Sequence, residues 1–320
     1  MKLRETAHRA LLGIVRNRAG ALGYDLVRRG VYDLVRHDFY SPVPEVPVGE
    51  TDVWTKPASL VGVDLSTAAS FDLLETELAP YIEEFKPPAD RATGGGFHLW
   101  NGYYQSVDAE VLYAMIRRLK PRRVLEVGSG YSTLVTAEAC RRNAGEQRPA
   151  ELIAVDPQPR VPIDASGGLT RHEQVRVQEL ALERFLALER DDVLFIDSSH
   201  TVKLGSDVNF LVFEVLPRLR AGVVVHIHDV FLPYEYPRAW YERGTFVTEQ
   251  YLLHAFLIWN PGYRILFASH AALRADRARL EASIPSLRGQ RDHHPSALWL
   301  VRTEVAETSG ASRASFSRKS

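Results

Sequence analysis

Residues 122–133 read Arg-Arg-Val-Leu-Glu-Val-Gly-Ser-Gly-Tyr-Ser-Thr. Val124-Leu125-Glu126-Val127 is a short apolar run of β type, and Gly128-Ser129-Gly130 follows at once. From Tyr131 to Cys140 the chain reads as a helix, with Ser132 or Thr133 as its cap. A strand, a glycine turn and a helix start make a cradle of the kind that holds a nucleotide. Glycine permits the tight turn and the close approach of a ligand, and the helix start offers unpaired N–H groups. The dinucleotide fingerprint asks for a third glycine three residues after the second, and this chain has Thr133 there.

Outward from this stretch, strand and helix patterns alternate. The runs at 151–155, 174–177, 193–196 and 223–227 read as strands, and 108–119, 181–189, 208–220 and 248–259 as helices. Such alternation implies a parallel sheet with right-handed crossovers, closed by a final strand pair at 263–268 and 297–301. Ligands of open parallel sheets bind at the carboxyl ends of the strands. The residues expected there are Gly128 to Gly130, Asp156, Gln178-Glu179, Asp197 to His200, and His228-Asp229. A carboxylate at Asp156 can accept two hydrogen bonds from ribose hydroxyls, or can serve only as a turn residue before Pro157. His200 and His228 are candidate bases, because an imidazole with a pKa of ~6.5 can take a proton at neutral pH. His226 shares a strand face with His228 but lies deeper and reads as a core histidine. His254, His293 and His294 read as surface or packing residues.

Length and composition set the frame. With 320 residues and a formal charge of −1, the chain suits one large α/β domain plus an appendage. A near-neutral balance argues against a general nucleic-acid binder. The single cysteine, Cys140, excludes a disulfide framework and a cysteine-based zinc site. No apolar run approaches the ~20 residues of a membrane span. Leu11-Leu12-Gly13-Ile14-Val15 is too short and too flanked by charge for a signal core, so the expectation is a cytoplasmic protein.

Residues 1–50 read as a basic helical arm followed by a Pro-rich linker. Such an arm can lie on a membrane surface; packing on its own domain or in a homo-oligomer is the preferred reading. Residues 51–106 read as a helical cap, with a helix at 73–85. The glycines at 94–96 precede an aromatic stretch at 97–104 that reads equally as a lid or substrate wall and as a hydrophobic plug. The aromatic loop at 233–241 is expected to shape a substrate site, and Glu249 begins the helix that follows. Residues 107–303 form the main domain and 304–320 a polar, disordered tail, with no internal repeat expected anywhere.

Four segments carry a family resemblance: Trp100-Asn101-Gly102-Tyr103-Tyr104, Glu126 through Thr133, Ile196-Asp197-Ser198-Ser199-His200, and His228-Asp229-Val230. Over 97–302, about two thirds of the chain, the sequence resembles the methyltransferase-24 type of class I S-adenosylmethionine-dependent methyltransferase. The resemblance implies a Rossmann-like α/β fold with a mainly parallel seven-stranded sheet, helices on both faces and an N-terminal helical appendage. It implies S-adenosylmethionine bound by Gly128, Ser129, Gly130, Ser132 and Asp156, with Glu126 and Glu179 as further contacts. It also implies methylation of an oxygen on a small molecule, natural product or glycan held by Asp197, His200, His228 and Asp229. In the family's strand order Asp197 and Asp229 end neighbouring strands, where two carboxylates can hold Mg²⁺. A softer metal with His228 as a ligand, and a metal-free pocket with a histidine base, are the other readings. Ser132 and Ser198 stand where the family more often has glycine. A nicotinamide oxidoreductase and a cofactor-free interaction module are the competing classes, the former opposed by the missing third glycine and the lack of a Tyr-x-x-x-Lys pair.

Overall fold

The computed structural model describes residues 53–91, 96–163 and 167–304, and before them 14–15, 18, 22, 24–29, 31–36, 41 and 43–44. Two compact units emerge, Met1–Ala58 with Tyr234–Thr248, and Ser59–Pro233 with Glu249–Ser320.

In the first unit, β1 (Tyr24–Arg29) and β2 (Val31–Arg36) pair antiparallel, with Leu26 opposite Leu34. This corrects the helical reading of the arm at 24–36. Tyr-Asp-Leu-Val-Arg occurs twice, at 24–28 and 32–36, so the chain does carry a short repeat. Each copy carries the β-favouring residues Tyr and Val. Most of 1–23 and all of 305–320 lie outside the described residues, so the helical arm and the disordered tail expected there lie outside them as well. The aromatic loop belongs to this unit: Tyr236 stacks on Trp240 at 5.9 Å, and Tyr241 lies 5.8 Å from Trp54. These rings therefore spend much of their surface on one another.

The second unit opens with α1 (Thr67–Asp72), a widened helical turn Leu73–Leu78 and α2 (Ala79–Glu84). Next come α3 (Asp108–Leu119), β3 (Arg123–Val127), α4 (Tyr131–Gly145), β4 (Glu151–Val155) and β5 (Arg171–Glu173). β6 (Val193–Ile196), β7 (Val224–Ile227), α5 (Glu249–Leu257) and β8 (Tyr263–Ala268) follow. α6 (Ser269–Ala275), α7 (Arg277–Ser283) and β9 (Leu298–Arg302) complete it. The third strand lies earlier than its apolar pattern suggests, and Val177–Glu179 is a single helical turn.

The seven strands form one sheet in the order β5-β4-β3-β6-β7-β9-β8. The first five are parallel, and β9 runs antiparallel to both β7 and β8. This is the Rossmann-like architecture expected from the resemblance. The chain moves from β3 outward to β4 and β5, then crosses back to β6, so β3 and β6 flank the switch point where such sheets bind ligands. Alternate residues feed two cores, one on each face: Val124 enters one, Leu125 and Val127 the other. α3 anchors the first core with Val111, Leu112, Met115 and Ile116, all without solvent exposure. Burial of each such side chain is worth about 1.5–3 kcal/mol. Among the described residues no helix is long and apolar enough to cross a membrane.

Candidate active site at the strand ends

The β3 turn is fixed by contact as well as by conformation. Gly128 has φ +88°, and a Cβ placed there would lie 2.1 Å from the Asp197 carbonyl oxygen. Its N–H donates to the Val155 carbonyl, while Asp197 N–H donates to Val127. The ends of β4, β3 and β6 are thus stitched together at the glycine turn. Ser129 donates through its N–H and its hydroxyl to Asp156 Oδ2, at 3.0 and 2.9 Å, and Gln158 N–H donates to Asp156 Oδ1 at 2.7 Å. Asp156 therefore stands beside the turn, partly open to solvent, and also serves as the turn residue that was the alternative reading.

Glu126 and Ser132 sit beneath the turn. Glu126 has no exposed surface, and its Oε1 accepts hydrogen bonds from Ser132 (2.7 Å) and Thr133 (2.8 Å). Burial pushes its pKa up to about 8. The Thr133 hydroxyl also accepts from Gly130 N–H at 3.0 Å. Gly130, rather than Ser132 or Thr133, is thus the cap; Thr133 ties its N–H from the third helical position, and Ser132 braces the turn through Glu126. Glu179 is exposed on its helical turn, displaced by the early end of β5.

Asp197, His200, His228 and Asp229 converge at the ends of β6 and β7. His200 Nε2 lies 3.0 Å from Asp197 and 3.3 Å from Asp229, and its Nδ1 lies 2.8 Å from Glu249. His228 Nδ1 faces Asp229 at 3.6 Å and Asp197 at 3.8 Å, while its Nε2 lies 3.4 Å from Asp108. Both His200 (φ 55°) and Asp229 (φ 59°) hold left-handed backbone, a conformation that costs non-glycine residues free energy and concentrates at functional sites. Asp108 starts α3 and accepts from Ser269 Oγ, Ser296 N–H and Ala297 N–H. Ser296 Oγ in turn donates to Asp229 at 3.2 Å.

Electrostatics alter the expected roles. Burial opposes charge on His200, yet hydrogen bonds to Asp197 and Glu249 and the charge of Asp229 hold it well above its ordinary value. Burial likewise opposes charge on His228, and Asp229, Asp197 and Asp108 outweigh it. Asp197 is held far below the usual carboxylate range despite burial, by the two imidazoles. The expectation of imidazoles near 6.5 is not met, because four carboxylates surround two rings. His226 is a buried core histidine, as expected, and burial lowers its pKa to about 3.

Asp197, His200 and Asp229 each bring one ligand atom within 4.8 Å of the others, a set that could hold a metal ion. His200, rather than His228, completes the carboxylate pair. Two carboxylates and one imidazole fit a hard or borderline divalent cation. For a nucleoside ligand, the bare Gly128 turn and the adjoining Asp156 carboxylate fit the expected cradle.

Asp108, Ser296 and Tyr104 belong to the cluster without a strand-end motif to announce them. The Tyr104 ring lies 4.7 Å from that of His228. The aromatic stretch divides between core and surface. Tyr104 and Leu99 are buried, whereas Tyr103 is 71% exposed and stacks on Tyr131, the first residue after the glycine turn.

The Rossmann-like sheet gathers these polar residues at its switch point, the place where open α/β sheets bind ligands. Residues 125–230, about a third of the chain, match the methyltransferase-24 family, described as "Methyltransferase domain". An "Uncharacterized protein" of Archaeoglobus fulgidus is 26% identical over 128 residues, 38% of this chain and 57% of that protein's length. The match thus spans little more than half of the relative. Similar solved structures include "CmcI-N160 apo-structure", with 16% identity, coverage of 69% of this chain and 91% of that one, and a TM-score of 0.41. "cmcI-D160 Mg-SAM" shows 17% identity, coverage of 68% and 82%, and a TM-score of 0.37. The O-methyltransferase from Bacillus cereus in complex with SAH shows 14% identity, coverage of 72% and 91%, and a TM-score of 0.35.

Proposed function

We propose that the protein is an S-adenosylmethionine-dependent methyltransferase that methylates an oxygen of a small molecule, natural product or glycan. The observation that carries this reading is the contact of Gly128 with Asp197, which sets a nucleoside cradle directly beside a cluster of acids and imidazoles. Similar proteins with SAM or SAH in their descriptions agree with it.

The bound cofactor would supply an electrophilic methyl group on a sulfonium. Gly128, Ser129 and Gly130 would line its amino-acid portion, and Asp156 would take its ribose hydroxyls by exchanging the Ser129 hydroxyl for them. Glu126 and Ser132 would keep the turn in shape. Catalysis by such a site is mostly positioning of the two partners in line. Without a cation, His200 and His228, protonated among the carboxylates, would orient both acids, Asp197 accepting a hydrogen bond from an acceptor hydroxyl and Asp229 its proton. With the His200 proton released, Asp197, His200 and Asp229 would hold a divalent cation such as Mg²⁺. The cytoplasm is the proposed compartment.

Calorimetric titration of the folded chain with S-adenosylhomocysteine tests the reading, with NADH as the control. Saturable uptake of the former alone is expected; uptake of NADH alone, or of neither, removes the proposal.

A further inference from the structure

Away from the strand ends, a cavity of about 770 Å³ opens among the widened turn Leu73–Leu78, α2, α3 and α7. Leu74, Ile82, Phe85, Leu99 and Ile284 give it apolar walls, and Glu110 of α3 lies among them. Its size falls in the range of small-molecule sites, about 300–1,000 Å³.

Glu110 is the anomaly. It is only 5% exposed, and its Oε1 accepts from Ser286 Oγ at 2.5 Å and Ser106 Oγ at 3.4 Å. Its Oε2 is buried and has no hydrogen-bond partner among the described residues. A buried acceptor left without a donor costs free energy, and more when it is charged. Burial pushes the Glu110 pKa up to about 7, and the neighbouring Asp108 carboxylate adds to that rise. The acids at the rim are Glu75 and Glu83, Glu75 already held by Arg279 at 2.6 Å, and Lys86 is the one lysine or arginine in the lining. An apolar cavity with one unmatched carboxylate oxygen suits a ligand with an apolar body and a cationic donor.

We propose that this cavity is a second ligand site, for a small molecule with an apolar or aromatic body whose protonated amine pairs with Glu110. The site is separate from the methyl-transfer site, because Asp108 spends its carboxylate on Ser269, Ser296, Ala297 and His228, whereas Glu110 turns to Ser286.

The experiment titrates the full chain with phenethylammonium, phenethyl alcohol and hydrocinnamate, which share an aromatic body and differ in the head group. Wild type, Glu110→Gln and Ala79→Trp are compared, each checked for fold by its near-ultraviolet circular dichroism. Ala79 is exposed on the lining, so tryptophan there fills the groove without disturbing the core. Saturable binding of phenethylammonium is expected, tighter than that of the alcohol by roughly tenfold or more, and weakened by roughly tenfold or more in Glu110→Gln. Ala79→Trp should weaken it as well. Equal binding of amine and alcohol, equal binding by Glu110→Gln, unchanged binding by Ala79→Trp, or no saturable binding overturns the proposal. S-adenosylhomocysteine titrated in parallel should bind all three proteins alike, and its failure bears on the methyl-transfer reading alone.

Discussion

At Gly128 a single hydrogen atom stands where any other residue would place a methyl group 2.1 Å from the Asp197 carbonyl. Its φ of +88° adds a backbone penalty for any side chain. Gly128→Ala should therefore destabilise the fold by more than about 1 kcal/mol and abolish S-adenosylhomocysteine binding, as read by denaturant titration and calorimetry. Glu126 gives a pH prediction. Burial raises its folded pKa from 4.5 to about 8, so the native state favours its neutral form. Its stabilising effect is complete below pH 4.5 and is lost as pH rises through about 8. Relative to Glu126→Gln, wild type should lose stability between pH 5 and 8, by an amount on the order of a few kcal/mol, in paired thermal melts. A pH-independent difference would refute that account of the buried acid.

Among elements, the N-termini of α3 and α5 deliver the carboxylates that hold the two histidines. Glu249, at the start of α5, raises the His200 pKa through a hydrogen bond and its charge. Glu249→Gln should shift the His200 imidazole titration downward by NMR. Asp108, at the start of α3, ties that helix to the segments before β9 and after β8. Removing a buried, multiply bonded carboxylate leaves several donors unpaired, so Asp108→Ala should cost about 3 kcal/mol or more in urea unfolding. The sequence shows the elements unevenly, for physical reasons. Val193–Ile196 is legible because four apolar residues run straight into a polar turn. The same reading puts the third strand too late: Arg171–Glu173 is a polar edge strand with little apolar signal, while Val177 packs into a core from a helical turn. Asp197, His200, His228 and Asp229 are visible because they follow strands directly. Ser296 and Asp108 are not, since each reaches the cluster through long-range packing of α3 and the closing strand. The hairpin at 24–36 hides for another reason: its Leu, Val and Arg residues also suit a helix, and pairing of the repeated segments decides the outcome.

Across the whole molecule, ligand binding should register as stability. With S-adenosylhomocysteine at 100 times its Kd, wild type should gain about 2.7 kcal/mol. Asp156→Ala should gain much less at the same concentration, while Asp197→Asn should lose only the additional shift produced by a divalent cation. Thermal shifts recorded with and without Mg²⁺ separate these effects. The stitched corner at the switch point has a wider consequence. Because the β3 turn rests on the backbone of β6, the donor cradle and the acid cluster behave as one rigid jaw. If that corner holds a methyl donor as proposed, adaptation to a new acceptor would have to come from side chains beyond it, with the distance between methyl source and proton acceptor left as it is.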